Sequence, residues 1–314
     1  MFEQIKECIE AYDTIVIHRH KNPDGDAYGS QMGLKRIIEL NYPDKAVYAV
    51  GDVNIFSYAG QVDTIEDDVY EGALAIIVDV AVSQLISDDR YRLASKRLVI
   101  DHHLNDANID ADAFIDSSYI SCAELIADMS RHLSYKMDAS VATKLMLGIV
   151  TDSGRFLYPN TSARTFEIAA SLMNMGAELQ YIYDKLYTES LNFKKLKGYF
   201  INNFQMTNHK VAYMKNSVDI KDKYDVSTFT VSRAMVNQMS GIENICIWAN
   251  FTEDDEGHIQ CELRSKSIPI VDIARKYGGG GHALACGCTV DSFEDADLIL
   301  KDLDALVEKS ENYG

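Results

Sequence analysis

The chain has 314 residues, enough for two domains that each bury their own core. Hydrophobic residues make up 47% and charged residues 25% of the sequence, as in ordinary globular proteins, and no apolar run approaches the ~20 residues that span a bilayer. The formal net charge of −18 argues against binding long duplex nucleic acid, because such binding depends on many Lys and Arg contacts to phosphate. A short anionic substrate that meets bound cations is still allowed.

The first segment, MFEQIKECIE, contains acidic residues and lacks a long apolar stretch. It therefore predicts an amphipathic helix rather than a secretory signal, and we expect a cytoplasmic protein. Six cysteines are scattered along the chain, and the spacing of Cys286 and Cys288 does not match a zinc knuckle. Reduced thiols are the simplest interpretation of these cysteines.

Four short apolar segments in the first half of the chain have the length and composition of buried strands. They are residues 14–18, 45–50, 73–81 and 97–101. Helical patterns occupy 27–40, 121–133 and 139–150. Strands that alternate with helices predict an α/β fold with a doubly wound parallel sheet.

Acidic and imidazole side chains follow apolar segments at four places. They are His20, Asp24 and Asp26 after residues 14–18, Asp79 after 75–78, Asp101, His102 and His103 after 97–100, and Asp152 after 148–151. We expect all four groups at strand ends, which converge on one crevice in a parallel sheet. Each motif alone could be an ordinary turn, but four together favour a metal site. Carboxylates with imidazoles suit manganese, magnesium, iron, cobalt or zinc, and this many ligands predicts two ions ~3.5–4 Å apart.

The second half of the chain has a different pattern. A polar, basic stretch at 186–205 predicts a helical linker. Beyond it the sequence predicts strands at 210–215, 244–252 and 258–264 and helices near 227–239, 268–277 and 292–310, which make a smaller mixed α/β domain. We therefore expect a metal-binding catalytic domain at 1–185, the linker, and a substrate-binding domain at 206–314, with the active-site cleft between the two domains.

A run of glycines precedes His282 in this second domain, downstream of a basic segment. Glycines let a backbone approach an anion closely, and Arg recognises phosphate or carboxylate through paired hydrogen bonds. The expected anion-binding residues are Arg264, Ser265, Lys266, Gly279, Gly280, Gly281 and His282. A flexible loop explains the glycine run alone equally well.

Six motifs resemble those of the DHH phosphoesterases, a family named after the triplet that stands here at 101–103. They are HKNPDGDAYGS (20–30), VDVA (78–81), VIDHH (99–103), TDSGRF (151–156), RSK (264–266) and GGGGHALACG (278–287). The last two resemble the DHH-associated substrate domain of the nanoRNase and oligoribonuclease branch. The family often has Thr where Val80 stands, which leaves the neighbouring Asp79 unaffected. The resemblance spans nearly the whole chain.

The resemblance implies a role for each candidate residue. His20 and Asp24 would hold one metal, and Asp79 would bridge it to the other. The second metal would be held by Asp26, His102 and Asp152. His103 would face the substrate phosphate, and Asp101 would orient the neighbouring histidine. Arg264 and His282 would clamp a second phosphate of the substrate.

The resemblance also implies the reaction. Members with this layout degrade very short RNAs, remove the 3′-phosphate of phosphoadenosine phosphate, or hydrolyse cyclic di-AMP or its linear product pApA. We favour a manganese-dependent phosphodiesterase that acts on linear dinucleotides and short RNA, with phosphoadenosine phosphate as a further substrate. The alternatives are a cyclic di-AMP phosphodiesterase, an inorganic pyrophosphatase or exopolyphosphatase, and a non-catalytic nucleotide sensor. We expect no membrane partner; a homodimer is compatible with the sequence, which does not specify the oligomeric state.

Overall fold

The computed structural model describes residues 1–104 and 107–311, so the last three residues of the expected second domain lie outside the described residues. The chain divides into two compact units, Met1–Tyr187 and Thr188–Gly314. None of the helices within the described residues has the length and apolar character needed to cross a membrane.

The first unit alternates strands with helices, as the sequence predicts. Its strands are β1 (Thr14–His18), β2 (Ala46–Ala49), β3 (Leu74–Val78), β4 (Lys96–Asp101) and β5 (Asp112–Ile115). Its helices are α1 (Phe2–Glu10), α2 (Gly25–Asn41), α3 (Cys122–His132), α4 (Ala139–Asp152), α5 (Ala163–Asn174) and α6 (Leu179–Tyr187). The strand β5 has an exposed first half and an apolar run of only three residues, 113–115, which explains why the sequence pattern does not reveal it.

The five strands form a parallel sheet in the order β2-β1-β3-β4-β5. Alternate residues of each strand face opposite sides of this sheet. Ile15, Ile17 and Ile76 lie in one hydrophobic cluster with buried residues of α1 to α4, whereas Val16 and Ile77 lie in another cluster under short 3₁₀ helices. Both faces of every central strand are thus buried, which accounts for the continuous apolar runs.

One expectation about the sheet is wrong. Asp152 does not follow a strand but is the last residue of α4. The preceding residues, 145–150, are all buried although they are helical, because α4 packs among α2, α3, α5 and α6. A helix that is buried on most sides has the same apolar run as a buried strand, so composition alone does not separate the two.

The second unit is built on a mixed six-stranded sheet in the order β10-β11-β9-β8-β7-β6. The strands are β6 (Gln205–Met206), β7 (Ala212–Asn216), β8 (Ile247–Glu253), β9 (Ile259–Ser265), β10 (Gly280–His282) and β11 (Ala285–Val290). The helices are α7 (Leu191–Asn203), α8 (Asp219–Tyr224), α9 (Val271–Lys276) and α10 (Phe293–Glu311). The α/β class predicted for each half of the chain is confirmed.

One face of this sheet packs against α9 and α10. The other face is covered at β7 and β8 by a cluster that includes Leu196 and Phe200 of α7. The residues of β9, β11 and β10 that face the same way, such as Glu262 and Gly280, are at least partly exposed. We call this strip the open face of the sheet.

Two expectations for the second unit need correction. The predicted helix at 227–239 is a short π-helix, Thr230–Ala234, followed by a 3₁₀ helix, Val236–Met239. Its β-branched Thr230, Val231 and Val236 lower the helix propensity of this segment. The glycine run also forms more than a loop, since it contributes β10, and a side chain at Gly279 would collide with the backbone of β11.

Candidate metal centre

The predicted ligands of the first unit lie at the point where the strand order reverses. From β1 the chain moves to β2, towards one edge of the sheet, and from β3 it moves to β4, towards the opposite edge. The carboxyl ends of β1 and β3 therefore border a crevice, which is where open α/β sheets bind ligands. His20 follows β1 and Asp79 follows β3, and their Nε2 and Oδ2 atoms are 3.4 Å apart.

The turn between β1 and α2 holds its two carboxylates in different ways. Asp24 caps α2, because its Oδ1 accepts hydrogen bonds from the backbone N–H groups of Asp26 and Ala27, each at 3.0 Å. Asp26 is fully buried, and its two oxygens accept from the N–H groups of Cys122 at 2.7 Å and Ala123 at 2.9 Å. Those N–H groups begin α3, where the helix dipole favours a negative charge.

Asp79 lies in the middle of the candidate site. It has a left-handed backbone with φ of +60°, a conformation that non-glycine residues rarely adopt and that often marks functional sites. Its N–H donates to the carbonyl of Ile100 at 3.0 Å, which fixes the residue to the neighbouring strand. Its Oδ2 faces His20, and its Oδ1 lies 3.4 Å from Nε2 of His102.

His102 completes a second group of ligands. Its Nε2 lies 3.3 Å from Oδ2 of Asp152, 3.4 Å from Oδ1 of Asp79 and 3.7 Å from Oδ2 of Asp26. Three sets of side chains bring one ligand atom each within 4.8 Å of one another: His20, Asp24 and Asp79; Asp26, His102 and Asp152; and Asp79, His102 and His103. The structure thus brings all six predicted metal ligands together, although they are spread over more than a hundred positions of the sequence.

The donor atoms fit divalent cations. Oδ1 of Asp79 and Nε2 of His102 are buried yet have no hydrogen-bond partner among the described residues. Buried polar atoms are normally satisfied, and the oxygens and imidazole nitrogens that converge here are ligands for first-row divalent metals. No thiol belongs to the three sets, which distinguishes them from a structural zinc site.

The ionisation of these groups reflects their mutual contacts. Burial works to raise the pKa of Asp79, but its interactions with His102 and His20 outweigh burial and lower that pKa to about 2. Burial opposes the charged form of both histidines, yet their carboxylate neighbours raise the pKa of His20 to about 10 and that of His102 to about 11. Burial, and then the charges of Asp79 and Asp152, raise the pKa of Asp26 well above its usual range.

His103 is held by Asp101 rather than by the central cluster. Its Nδ1 donates to Oδ1 of Asp101 at 2.8 Å, and the same oxygen accepts from the backbone N–H groups of His102 and His103. This hydrogen bond is the largest cause of the raised pKa of His103. The side chain of His103 is 45% exposed, whereas that of Asp101 is fully buried. The contact keeps Nδ1 protonated, and within residues 1–104 and 107–311 no hydrogen bond to Nε2 of His103 is found.

The predicted anion-binding residues of the second unit divide into two sets. Arg264 and His282 lie in register on the open face, because each is the cross-strand neighbour of Ala285. They line a groove of about 440 Å³ together with Gly280, Gly281 and Arg233. The other predicted residues, Gly279, Lys266 and Ser265, do not line this groove. The hydroxyl of Ser265 instead accepts a hydrogen bond from the N–H of Ile268.

Arg264 already has partners in its groove. Its Nη2 donates to Glu262, two residues earlier on β9, at 2.8 Å, and its Nη1 donates to the carbonyl of Leu263 at 2.9 Å. Two other charged residues of the groove, Glu262 and Arg233, were not predicted from the sequence. The alternation of β9 gives a signal for Glu262, since residues two apart on a strand face the same side.

Two sequence profiles match the chain. The profile described as the DHH family, N-terminal domain, matches residues 14–149, and that of the DHHA1 domain matches 211–309. The chain is also 35% identical over 315 residues to the bifunctional oligoribonuclease and PAP phosphatase NrnA of Bacillus subtilis, with 99% of this chain and 100% of that protein covered. The chain belongs to the DHH family.

Other proteins resemble it along most of its length. The bifunctional oligoribonuclease and PAP phosphatase NrnA of Mycoplasma pneumoniae is 37% identical over 307 residues, covering 94% of this chain and 93% of that protein. The crystal structure of an exopolyphosphatase-related protein from Bacteroides fragilis has the same fold, with a TM-score of 0.78, 24% identity, and coverage of 99% of this chain and 96% of that one.

The close packing of two helices positions the carboxylates of this DHH chain. Side chains added at Gly25, Gly29 and Gly33 of α2 would collide with α4, and one added at Gly148 of α4 would collide with the Asp26 carboxylate. The backbones of α2 and α4 therefore approach closely, so that Asp26 and Asp152 face the same site. This close packing was not predicted, although the sequence shows three glycines spaced by four residues, which lie on one face of a helix.

Proposed function

We propose that this DHH protein is a two-metal phosphodiesterase that hydrolyses linear dinucleotides such as pApA, and other short oligoribonucleotides, to mononucleotides. We propose removal of the 3′-phosphate from phosphoadenosine phosphate as a second activity. The observation that carries the proposal is Asp79, whose two oxygens face two separate groups of ligands. The relatives from B. subtilis and M. pneumoniae are named as bifunctional oligoribonucleases and PAP phosphatases, which supports the choice of substrates.

The proposed ligands divide into two groups around Asp79. His20 and Asp24 would hold one ion, and the second would be held by Asp26, His102 and Asp152. Two divalent ions, which we propose to be manganese, supply an activated water and neutralise charge on a phosphoryl group when bound. The chain's own part is to fix the ligands: hydrogen bonds to backbone N–H groups hold Asp24 and Asp26 before any ion binds.

His103 is the group that we propose to contact the scissile phosphate. Asp101 accepts a hydrogen bond from Nδ1 of His103 and raises the pKa of the ring, which favours the positively charged form of the imidazole. A charged N–H donor aimed at a phosphoryl oxygen stabilises the charge that develops there during the reaction. Asp101 therefore acts through His103 and does not itself touch the substrate.

The groove on the open face of the second unit is the proposed binding site for the other end of the substrate. Arg264 and His282 offer donors to a terminal 5′-phosphate, and the small side chains of Gly280 and Ala285 leave room for it. One donor of the Arg264 guanidinium already has a partner, because Glu262 accepts a hydrogen bond from its Nη2. Binding there would orient the scissile bond, which is a large source of rate.

The test is a rate comparison with the purified, manganese-loaded protein. The substrates are pApA, a five-nucleotide RNA, phosphoadenosine phosphate, cyclic di-AMP and pyrophosphate, with products separated by chromatography. We expect the largest kcat/KM for pApA, activity on the short RNA and phosphoadenosine phosphate, and little on the other two. Fastest turnover of cyclic di-AMP or pyrophosphate would replace the proposal with one of those activities.

The location and assembly of the protein are further parts of the proposal. We propose a cytoplasmic enzyme, which cell fractionation would check. A homodimer is the assembly that we propose, and light scattering during size-exclusion chromatography would give the mass to compare with the 35.2 kDa of one chain.

A further inference from the structure

Five residues that are not proposed metal ligands surround the turn that carries His20 and Asp24. They are Arg19, Tyr28, Asp52, Asn54 and Ser87, and we call them the brace. Hydrogen bonds connect them to one another and to the backbone of the turn. They come from the end of β1, from α2, and from the two loops that follow β2 and β3.

The first element of the brace is a buried cation. Arg19 is fully buried, and its Nη2 donates to the carbonyl of Asp52 at 2.6 Å. The guanidinium carbon lies 4.1 Å from the centre of the Tyr28 ring. Among the described residues it forms no ion pair within 4.0 Å of a carboxylate, so the aromatic face, the carbonyl and the more distant charge of Asp52 stabilise it. Burial of this charge costs free energy, which indicates that Arg19 has a structural role: it connects the 51–54 loop to the end of β1.

The second element is the carboxylate of Asp52, which reaches the turn itself. Its Oδ2 accepts from the backbone N–H of Asn22 at 3.1 Å, and Asn22 has a left-handed φ of +49°. Its Oδ1 accepts from the hydroxyl of Ser87 at 2.7 Å. Ser87 in turn donates its backbone N–H to the carbonyl of Arg19 at 3.0 Å. The carboxylate therefore joins the centre of the turn to both neighbouring loops.

The third element holds the residue just before Asp24. The hydroxyl of Tyr28 donates to the carbonyl of Asp52 at 3.1 Å and accepts from the N–H of Asn54 at 3.3 Å. The side-chain amide of Asn54 then donates to the carbonyl of Pro23. Both sides of the turn between His20 and Asp24 are thus fixed by groups outside it.

The other group of proposed ligands has separate support. Asp26 is fixed by the N–H groups that begin α3, and none of the hydrogen bonds of the brace reaches His102 or Asp152. We propose that the brace positions His20 and Asp24, so that it sets the affinity for one of the two ions and leaves the affinity for the other unchanged. This inference rests on the two-metal function proposed above.

The experiment compares two substitutions at Asp52 by calorimetric titration of the metal-free full chain with MnCl₂. Asp52→Ala removes both side-chain hydrogen bonds, and we expect one of the two binding steps to weaken about tenfold or more while the other is unchanged. Asp52→Asn keeps an acceptor for the N–H of Asn22 and a donor for Ser87, so we expect both steps to stay within about threefold of the unsubstituted protein. Asp110→Ala, which removes a fully exposed carboxylate, is the matched control.

Tyr28→Phe is a second variant that keeps the ring beneath Arg19 and removes only the hydroxyl. We expect the same binding step to weaken by a smaller factor. A higher MnCl₂ concentration should restore the hydrolysis of pApA by both Asp52→Ala and Tyr28→Phe, which loss of folding would not allow. Unchanged isotherms for both variants, or equal weakening of both steps, would overturn the inference. An unsubstituted protein that binds fewer than two ions, or that leaves pApA intact, would instead overturn the proposed function.

Discussion

The two candidate sites of this chain are built in different ways. In the first unit, backbone N–H groups fix Asp24, Asp26 and Asp101, and the central Asp79 is buried. In the second unit, His282 is exposed on an open strip of sheet, and Arg264 depends on side-chain contact with Glu262. Under the proposed function, the first arrangement would set the positions of cations, and the second would offer adjustable donors to a substrate. We therefore expect substitutions in the first unit to change metal binding and kcat, and those in the second to change KM.

The strongest test of this difference is the central carboxylate. Asp79→Asn removes the negative charge that faces both ligand groups, so we expect kcat for pApA to fall about 10³-fold or more. Steady-state hydrolysis at saturating MnCl₂ measures the effect. Asp110→Ala should keep full activity. Undiminished hydrolysis by Asp79→Asn would refute the bridging role.

The glycines between α2 and α4 provide the next test. Gly148→Ala would place a methyl group against the Asp26 carboxylate and 2.5 Å from Cβ of Ala123. We expect a loss of about 2 kcal/mol in the free energy of unfolding, measured by urea titration, together with weaker Mn²⁺ binding. Gly198→Ala is the control, because its added Cβ would meet no atom within 4 Å and α7 should be as stable or more stable. Equal stability of the two variants would contradict close packing of α2 on α4.

A substitution in the groove should have a different kinetic signature. Arg264→Gln removes a charge that we propose to bind the terminal phosphate, so we expect KM for pApA to rise about tenfold with kcat nearly unchanged. Arg275→Gln is the control, since Arg275 is exposed and pairs with Asp272. A large fall in kcat with unchanged KM would show that Arg264 acts in the chemical step, as we propose for the metal ligands, and not in substrate binding.

The smallest effect that we predict is a dependence of metal-induced stabilisation on pH. In the metal-free protein the pKa of His20 is about 10 and that of His102 about 11, above the ordinary 6.5. Their contribution to stability is therefore complete below pH 6.5 and is lost as the pH rises through 10 to 11. Mn²⁺ binds neutral imidazole and must displace these protons, which becomes easier as the pH rises.

The rise in melting temperature caused by MnCl₂ should therefore grow between pH 6.5 and pH 9. Thermal unfolding with MnCl₂ and with EDTA, at a series of pH values, measures this rise. His282→Ala should show the same dependence because His282 belongs to the second unit. A rise that does not change with pH would show that His20 and His102 do not exchange protons for metal.

The difference between the two sites also explains what the sequence predicts. His20, Asp79 and His102 follow apolar strands, and the geometry of a parallel sheet brings strand ends together, so local pattern was enough to predict their meeting. Asp152 reaches the same site from the end of the helix predicted at 139–150 and not from a strand end, which the apolar run at 148–151 had indicated. The two sides of the groove depend on pairing between β9, β11 and β10, whose register local pattern does not specify. The alternation of β9 does give a signal for Glu262, which shares a face with Arg264, whereas Arg233 reaches the groove from a π-helix outside the sheet and has no such signal.

The contact between α2 and α4 has a consequence for how such an enzyme changes over generations. A Cβ at position 25, 29 or 148 would lie 2.4 Å from its nearest neighbour, and one at position 33 would displace the Leu145 side chain, so we expect mutations there to disturb the positions of Asp26 and Asp152 abruptly. We expect natural variation in the range of accepted nucleotides to arise instead in the loops and in the second unit. A library for directed evolution should accordingly leave these four glycines intact and randomise the open face.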